Sequence, residues 1–301
     1  MLNIFLYALT VTIWGTTWIA IKLQLGAVAI EASIIYRFTL AAIVMFLLLH
    51  LFKKRQRLTM QDHFYCLLQG GCLFSVNFYC FYQATGYISS GLVSIIFSLA
   101  TILNIGNAWL FFSKKPSVRT ILGATIGLIG ISVLFWPELQ QQTSFEQLLL
   151  GIGLAVAGTY CFSLGNMLTV SHHKRGLKPP TTNAWGMLYG TIILLTLSLL
   201  TGVEFTIVED VSYLAALLYL AIPGTVIGFT AYLMLVGRIG PDAAAYSTVL
   251  FPVIALSISS VYEDYTWSSM ALFGLFLVIA GNVIIFSKIK QPAFKAIKSL
   301  T

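Results

Sequence analysis

The chain has 301 residues, of which 9% are charged and 58% belong to the apolar and aromatic set, with a mean hydropathy of +0.89. A soluble domain carries about 25% charged residues, so this chain cannot keep its apolar surface dry in water, and lipid must be its solvent. The net charge of +7 sits in short clusters between apolar runs, which is a membrane pattern and not a nucleic-acid-binding face; no nucleic-acid partner is expected.

A helical crossing needs about 20 apolar residues. Ten such spans follow one another, at 3–21, 32–52, 64–83, 89–112, 117–136, 147–170, 182–201, 212–235, 242–261 and 267–287. The loops are short and leave no room for a soluble domain. The first run begins without a basic n-region or an A-x-A site, so no cleavable signal is expected. Cys66, Cys72, Cys80 and Cys161 all fall in spans without a C-x-x-C pair, which argues for small apolar side chains and against metal or disulfide chemistry.

With the N-terminus placed in the cytoplasm, the inner segments hold 15 of the 17 basic residues. They include Lys53 to Arg57, Lys114 to Arg119, Lys174 to Lys178, Arg238 and the Lys288 to Lys298 tail, which is expected to anchor to anionic lipid. The outer segments hold eight of the ten acids, among them Glu31, Glu138, Glu146, Glu204 and Glu263. His50, His63, His172 and His173 all fall at the cytoplasmic surface. This segregation supports ten spans with both termini inside.

Residues Leu67 to Phe135 can be laid on Leu218 to Phe286 without a gap. At that register Phe78 meets Phe229, Gly86 meets Gly237, Gly123 meets Gly274 and Gly130 meets Gly281. The shared stretch covers three spans and their loops, so the chain reads as two copies of one module. Five spans per copy is odd, so the copies are inverted about an axis in the membrane plane. Such a pair can rock between two near-equivalent states, as alternating access requires.

A polar side chain inside a span costs free energy unless it meets a partner or water. Helical spacing aligns these side chains in stripes. Thr10, Trp14 and Thr17 share a face of span one; Ser75, Tyr79 and Tyr82 do so on span three. Ser94, Ser98 and Thr101 line up on span four with Asn104 beside them, and Thr159, Ser163 and Asn166 on span six. Thr225 and Tyr232 flank Phe229 on span eight, and Tyr246 with Ser247 precede Pro252 on span nine. For each, the alternative to a binding role is an interhelical hydrogen bond worth about 0.6 kcal/mol. Arg37 lies near the outer end of span two; it either snorkels to the headgroups or pairs with Glu31, or else makes the anion contact to a substrate carboxylate. Lys22 reads the same way.

Pro223-Gly224 and Pro252 each remove a helix hydrogen bond and are the candidate hinges. Gly240-Pro241-Asp242 is a stop and start between helices. Gly123 with Gly127 on span five, and Gly274 to Gly281 on span ten, let helices approach closely, against each other or against a second subunit. No Asp or Glu lies near the middle of a span, so coupling through a desolvated carboxylate has no candidate. Facilitated transport or exchange is expected.

These residues resemble the drug/metabolite transporter superfamily, in its EamA-type branch. The resemblance is carried by Ile13-Trp14-Gly15 with Trp18, by Arg37, by Gly86 and Gly237, and by Pro252, Glu263, Gly274 and Gly281. The first copy departs from the pattern, with Thr101 in place of the proline and Phe112 in place of the acid. The resemblance implies an all-α fold of ten transmembrane helices in two inverted five-helix repeats, 1–140 and 141–301. It implies a bacterial inner-membrane carrier of a small metabolite, without cofactor or metal, monomeric or homodimeric. It also places a central cavity among spans one, three, four, six, eight and nine.

The stripes then become a pocket of aromatic rings with hydroxyls and amides: Trp14, Thr17, Tyr79, Tyr82, Ser98, Thr101, Asn104, Ser163, Asn166, Thr225, Phe229, Tyr232 and Tyr246. Rings would attract an ammonium group and the polar groups would orient the rest. An exporter of an amino acid or related amine-bearing compound is the leading function. A flippase for a lipid-linked sugar shares the fold and is the second. An integral membrane enzyme would need clustered catalytic residues at one depth, and none are present in the sequence.

Overall fold

The computed structural model describes residues 2–113, 115–141, 145–239 and 247–286. Among them every regular element is a helix. Spans one and two are the helices Leu2–Lys22 and Ile30–Leu51. Span three starts at a Thr59 cap whose hydroxyl accepts the Asp62 amide while Asp62 bonds back to Thr59, a reciprocal pair that satisfies two free helix-end donors. It then runs from Met60 to Tyr87. Span four breaks into Ser90–Phe97 and Ala100–Phe112. Spans five, six and seven are Val118–Gln141, Phe145–Lys174 and Pro179–Leu200. Span eight starts on an Asp210 cap, whose carboxylate accepts the Ser212 and Tyr213 amides, and reaches Ile239. Spans nine and ten are Ser247–Tyr262 and Ser269–Phe286.

Among the described residues, eight helices are long and apolar enough to cross a membrane by themselves, and two shorter apolar helices, Leu250–Tyr262 and Ser269–Ile285, complete ten. The burial pattern is that of a lipid-solvated bundle. Thr10, Ser75, Thr159, Ser163 and Thr225 are fully buried, while Ile4, Leu110, Ile121, Leu200 and Phe276 are exposed.

The inversion is visible in which helices touch. Spans two and seven, four and nine, and five and ten pack directly on each other. The other major pairings come in couples: one with eight and six with three, one with nine and six with four, two with eight and seven with three. Exchanging each span for its counterpart five places on turns every one of these pairs into another of the set, as a two-fold relation requires.

Spans five and ten give the direction. A Cβ on Gly123 would lie 2.5 Å from the Gly281 carbonyl, and one on Gly130 would lie 2.8 Å from the Gly274 carbonyl. Residue numbers rise on one helix as they fall on the other, so the pair is antiparallel. Only glycine permits backbones this close. The two helices pack against each other.

The basic turns share one end of the bundle. The Gln56 side chain donates to the Gly176 carbonyl at 3.2 Å and accepts the Lys178 amide at 2.5 Å. Arg175 pairs with Asp62 at 2.7 Å. His172 departs from expectation. It is buried between spans three and six, with Nε2 3.8 Å from the Cys66 sulfur, because span six extends to Lys174 and carries the ring inward. Cys66 and Cys80 are buried, Cys72 and Cys161 only partly so, and all four thiols are free. Lys114, the Gly240-Pro241-Asp242 link, Tyr246 and the Lys288 to Lys298 tail lie outside the described residues.

Candidate functional site

Two π-helical segments shape the centre. Span three widens over Gly71–Val76 and span eight over Leu220–Ile227. At the repeat register the first falls on residues 222–227, so both copies carry the same irregularity in the same place. In span eight the Gly228 amide bonds the Pro223 carbonyl, five residues back, and the Gly224 carbonyl accepts the Trp14 indole N–H at 3.1 Å. Thr225 donates to the Leu220 carbonyl at 2.8 Å, spanning the widened turn. Gly228 lies under the Trp14 indole, where a Cβ would collide with Nε1.

Rings pack outward from Trp14. Its indole stands edge-on to Phe229 at 4.9 Å between centroids and to Phe251 at 5.6 Å, and tilted to Tyr232 at 5.2 Å. A second group joins Trp18 to Phe81 at 5.2 Å and Phe97 to Phe162 at 4.8 Å. Edge-to-face geometry of this kind is favourable and directional. Between the groups lies a cavity with an empty volume of about 500 Å³ counting its open mouth and the solvent in it. Both copies contribute to the lining: Trp14, Thr17, Trp18, Ile21, Arg37, Asn77, Phe78, Phe81 and Phe97 from the first, and Phe162, Gly224, Phe229 and Phe251 from the second.

Arg37 is the cation of this cavity. It is 2% exposed, so it neither snorkels to a surface nor pairs with Glu31. Seven residues into its helix from Ile30, it stands about 10 Å along the axis, facing inward. Its guanidinium lies 4.4 Å from the Phe78 ring centroid and 5.1 Å from that of Phe38. Nε and one terminal nitrogen reach the Thr225 hydroxyl oxygen at 3.3 Å, and Tyr82 lies within interaction range. Among the described residues no carboxylate pairs with it. Lys22 also differs from expectation: its ammonium donates to the Thr85 carbonyl at 2.6 Å, in the last turn of span three.

Three buried polar atoms of the lining have no hydrogen-bond partner: Trp18 Nε1, Arg37 Nη1 and Asn77 Oδ1. The Asn77 orientation is fixed chemically. Its Nδ2 donates to the Gly158 carbonyl at 2.9 Å, and a carbonyl can only accept, so the oxygen is the atom left without a partner.

Of the residues singled out from the sequence, Trp14, Thr17, Arg37 and Phe229 line the cavity. Thr225 and Tyr232 stand one layer behind, on Arg37 and Trp14. The remaining described ones lie elsewhere. Tyr82 is fully buried and donates to Gln24 at 2.6 Å, and Tyr79 accepts from Gln83 at 3.2 Å. Asn104 accepts from Asn166 at 3.3 Å, and Ser163 from Asn107 at 2.8 Å, forming a polar seam between spans four and six. Ser98 and Thr101 are buried at the break in span four. The hinge candidates Pro223 and Pro252 lie within helices, Pro223 inside the π-helical segment. The stripes missed the wall itself, because Phe78, Phe81, Phe97, Phe162 and Phe251 are apolar and a search for polar faces passes over them. The register that pairs Phe78 with Phe229 was the available signal.

A cavity lined by both inverted five-helix units, in a bundle of apolar helices, fits a multi-pass membrane transporter. The chain belongs to the EamA-like transporter family, whose model matches residues 1–136 and 147–287. It is similar to a protein of Salmonella typhimurium named "Probable amino-acid metabolite efflux pump", 25% identical over 289 residues, covering 93% of each chain. An Escherichia coli protein of the same name is 22% identical over 202 residues, covering 65% of this chain and 67% of its own. A solved crystal structure shares the fold with a TM-score of 0.68 at 16% identity, over 94% of this chain and 95% of the other.

Proposed function

We propose that this protein is a secondary carrier that exports a small polar metabolite, an amino acid or related amine-bearing compound, by alternating access. The observation that carries this reading is the shared lining: residues of both copies enclose one cavity, so a rocking of one copy against the other opens it to either side. The names of the relatives support the substrate class. The copies divide at about residue 140, both termini face the cytoplasm of a bacterial inner membrane, and the basic end of the bundle is the inner end.

Movement is uniport or exchange. Asp62 and Glu263 are held by Arg175 and by Ser90 with Ser259, and neither lines the cavity. The test is counterflow in proteoliposomes. Radiolabelled amino acid outside should accumulate against unlabelled amino acid inside, without acidification of the lumen. Lumen acidification in step with substrate would overturn the uncoupled mechanism, and absence of counterflow for every amino acid would overturn the substrate class.

A further inference from the structure

We infer that the two gates of this carrier are unequal: Glu263 latches spans four and nine at the outer end, the matching inner positions cannot build the same latch, and the unloaded cavity opens to the cytoplasm. The inference rests on the carrier reading and gives it a resting side, which for an exporter is the loading side. The latch joins one copy to the other. Ser90 and Gly91 open span four, while Ser259 lies in the last turn of span nine and Glu263 just follows it. The Glu263 carboxylate accepts the Ser90 amide at 3.1 Å and the Ser90 and Ser259 hydroxyls at 2.5 Å. The Ser259 oxygen in turn accepts the Gly91 amide at 2.8 Å. A Cβ on Gly91 would lie 2.8 Å from that oxygen and 3.0 Å from the Leu256 Cα, so glycine is what lets the two spans close. Phe97 and Phe251 line the cavity from these same two spans, and Phe97 stands about 10 Å along span four from Ser90. The latch therefore closes the gap between the two spans on the outer side of the cavity.

An inverted repeat with equal copies would carry a second latch where span four ends and span nine begins. At the register that lays Phe78 on Phe229, Phe112 stands in place of Glu263 and Ala108 in place of Ser259. Pro241 stands in place of Ser90, and Asp242 in place of Gly91. Each change removes a working part. Phe112 has no carboxylate, Ala108 has no hydroxyl, and Pro241 has no amide hydrogen to donate. Asp242 brings a side chain to the position where glycine permits close approach. Phe112 is engaged in another way, with the Lys174 ammonium 4.2 Å from its ring centroid. Hydrogen bonds to a charged group are about twice as strong as neutral ones, so the outer closure has a stabilisation that the inner closure lacks. Two otherwise matched states are then unequally populated, with the outer-closed state in excess.

The experiment follows a cysteine replacing the cavity residue Thr17 in the full-length chain, with the four native cysteines replaced by alanine. An impermeant maleimide is added to either face of oriented vesicles without substrate. In a separate protein, Thr266→Cys, at an exposed loop position three residues past Glu263, identifies the face on which the latch lies. With the latch intact, labelling should be faster from the opposite face. Glu263→Ala should raise the ratio of latch-face to opposite-face rates by at least about 10-fold, the loss of hydrogen bonds to one charged group. Ser259→Ala keeps the carboxylate and should move the ratio the same way by less. A general loss of stability speeds labelling from both faces alike, so the ratio separates gating from folding. Ser259→Ala decides the matter where Glu263→Ala fails to fold. Faster labelling from the latch face in the parent protein, or a ratio unmoved by the substitutions, would overturn the latch and leave the carrier standing. Labelling from one face alone in every variant would remove the carrier itself.

Discussion

At the scale of the residue, cost is concentrated where side chains from different spans share one partner. Glu263 accepts the Ser90 amide at 3.1 Å on each oxygen and the Ser90 and Ser259 hydroxyls at 2.5 Å. It thereby ties the start of span four to the end of span nine, and its charge lies at a helix N-terminus, where an anion is favoured. Glu263→Gln should lower stability by about 1.5–3 kcal/mol, read as an earlier thermal midpoint in detergent, and Glu263→Ala by more. Trp14 is the corresponding residue at the cavity. Trp14→Ala removes three ring contacts and the bond to Gly224, and substrate-dependent thermal stabilisation should disappear with it. Trp14 was legible in the sequence because it is both aromatic and in a polar stripe. Arg37 was legible as costly, but its direction was not. Nothing in one sequence says whether a cation near a helix end turns outward to water or inward to a ring, and here Phe78 and Thr225 hold it inward.

Elements show two kinds of contact, one readable and one hidden. The glycine spacing of spans five and ten announced close packing, and the pair meets backbone to backbone at Gly123 with Gly281 and Gly130 with Gly274. Gly130→Ala would set a methyl 2.7 Å from the Val278 nitrogen and 2.8 Å from the Gly274 carbonyl. The helices must separate, at a cost of about 1–3 kcal/mol, measurable as a fall in thermal midpoint with the ligand profile unchanged. The π-helical segments were not readable. Pro223 marks the one in span eight, but Cys72 occupies its register in span three, where a Gly70-Gly71 pair stands at the start of the widening instead. Thr225→Val tests what the widening does. The change removes the bond to Leu220 and the acceptor shared by two Arg37 nitrogens. Ligand affinity should change through the displaced guanidinium while the aromatic wall stays in place.

For the whole molecule, the sequence carried topology better than site. Span number, the clustering of Lys53 to Arg57 with Lys174 to Lys178 at one end, and the inverted repeat follow from hydropathy, charge and register, which are summed over many residues. The cavity wall does not, because it depends on which apolar face turns inward, and lipid and core are equally apolar. Phe78 and Phe276 have the same side chain; one lines the cavity and the other is exposed. The inverted contact pattern distinguishes them, since inward faces are those shared between the copies.

The account rests on one cavity opening in turn to each side, and thiol accessibility tests that most directly. A single cysteine replacing Thr17, in a protein with Cys66, Cys72, Cys80 and Cys161 replaced by alanine, would be exposed to an impermeant maleimide from either side of oriented vesicles. The account predicts labelling from both sides, never at full rate from both at once, with bound amino acid slowing both. Labelling from one side alone under every condition, or simultaneous full-rate labelling as in an open channel, would contradict it.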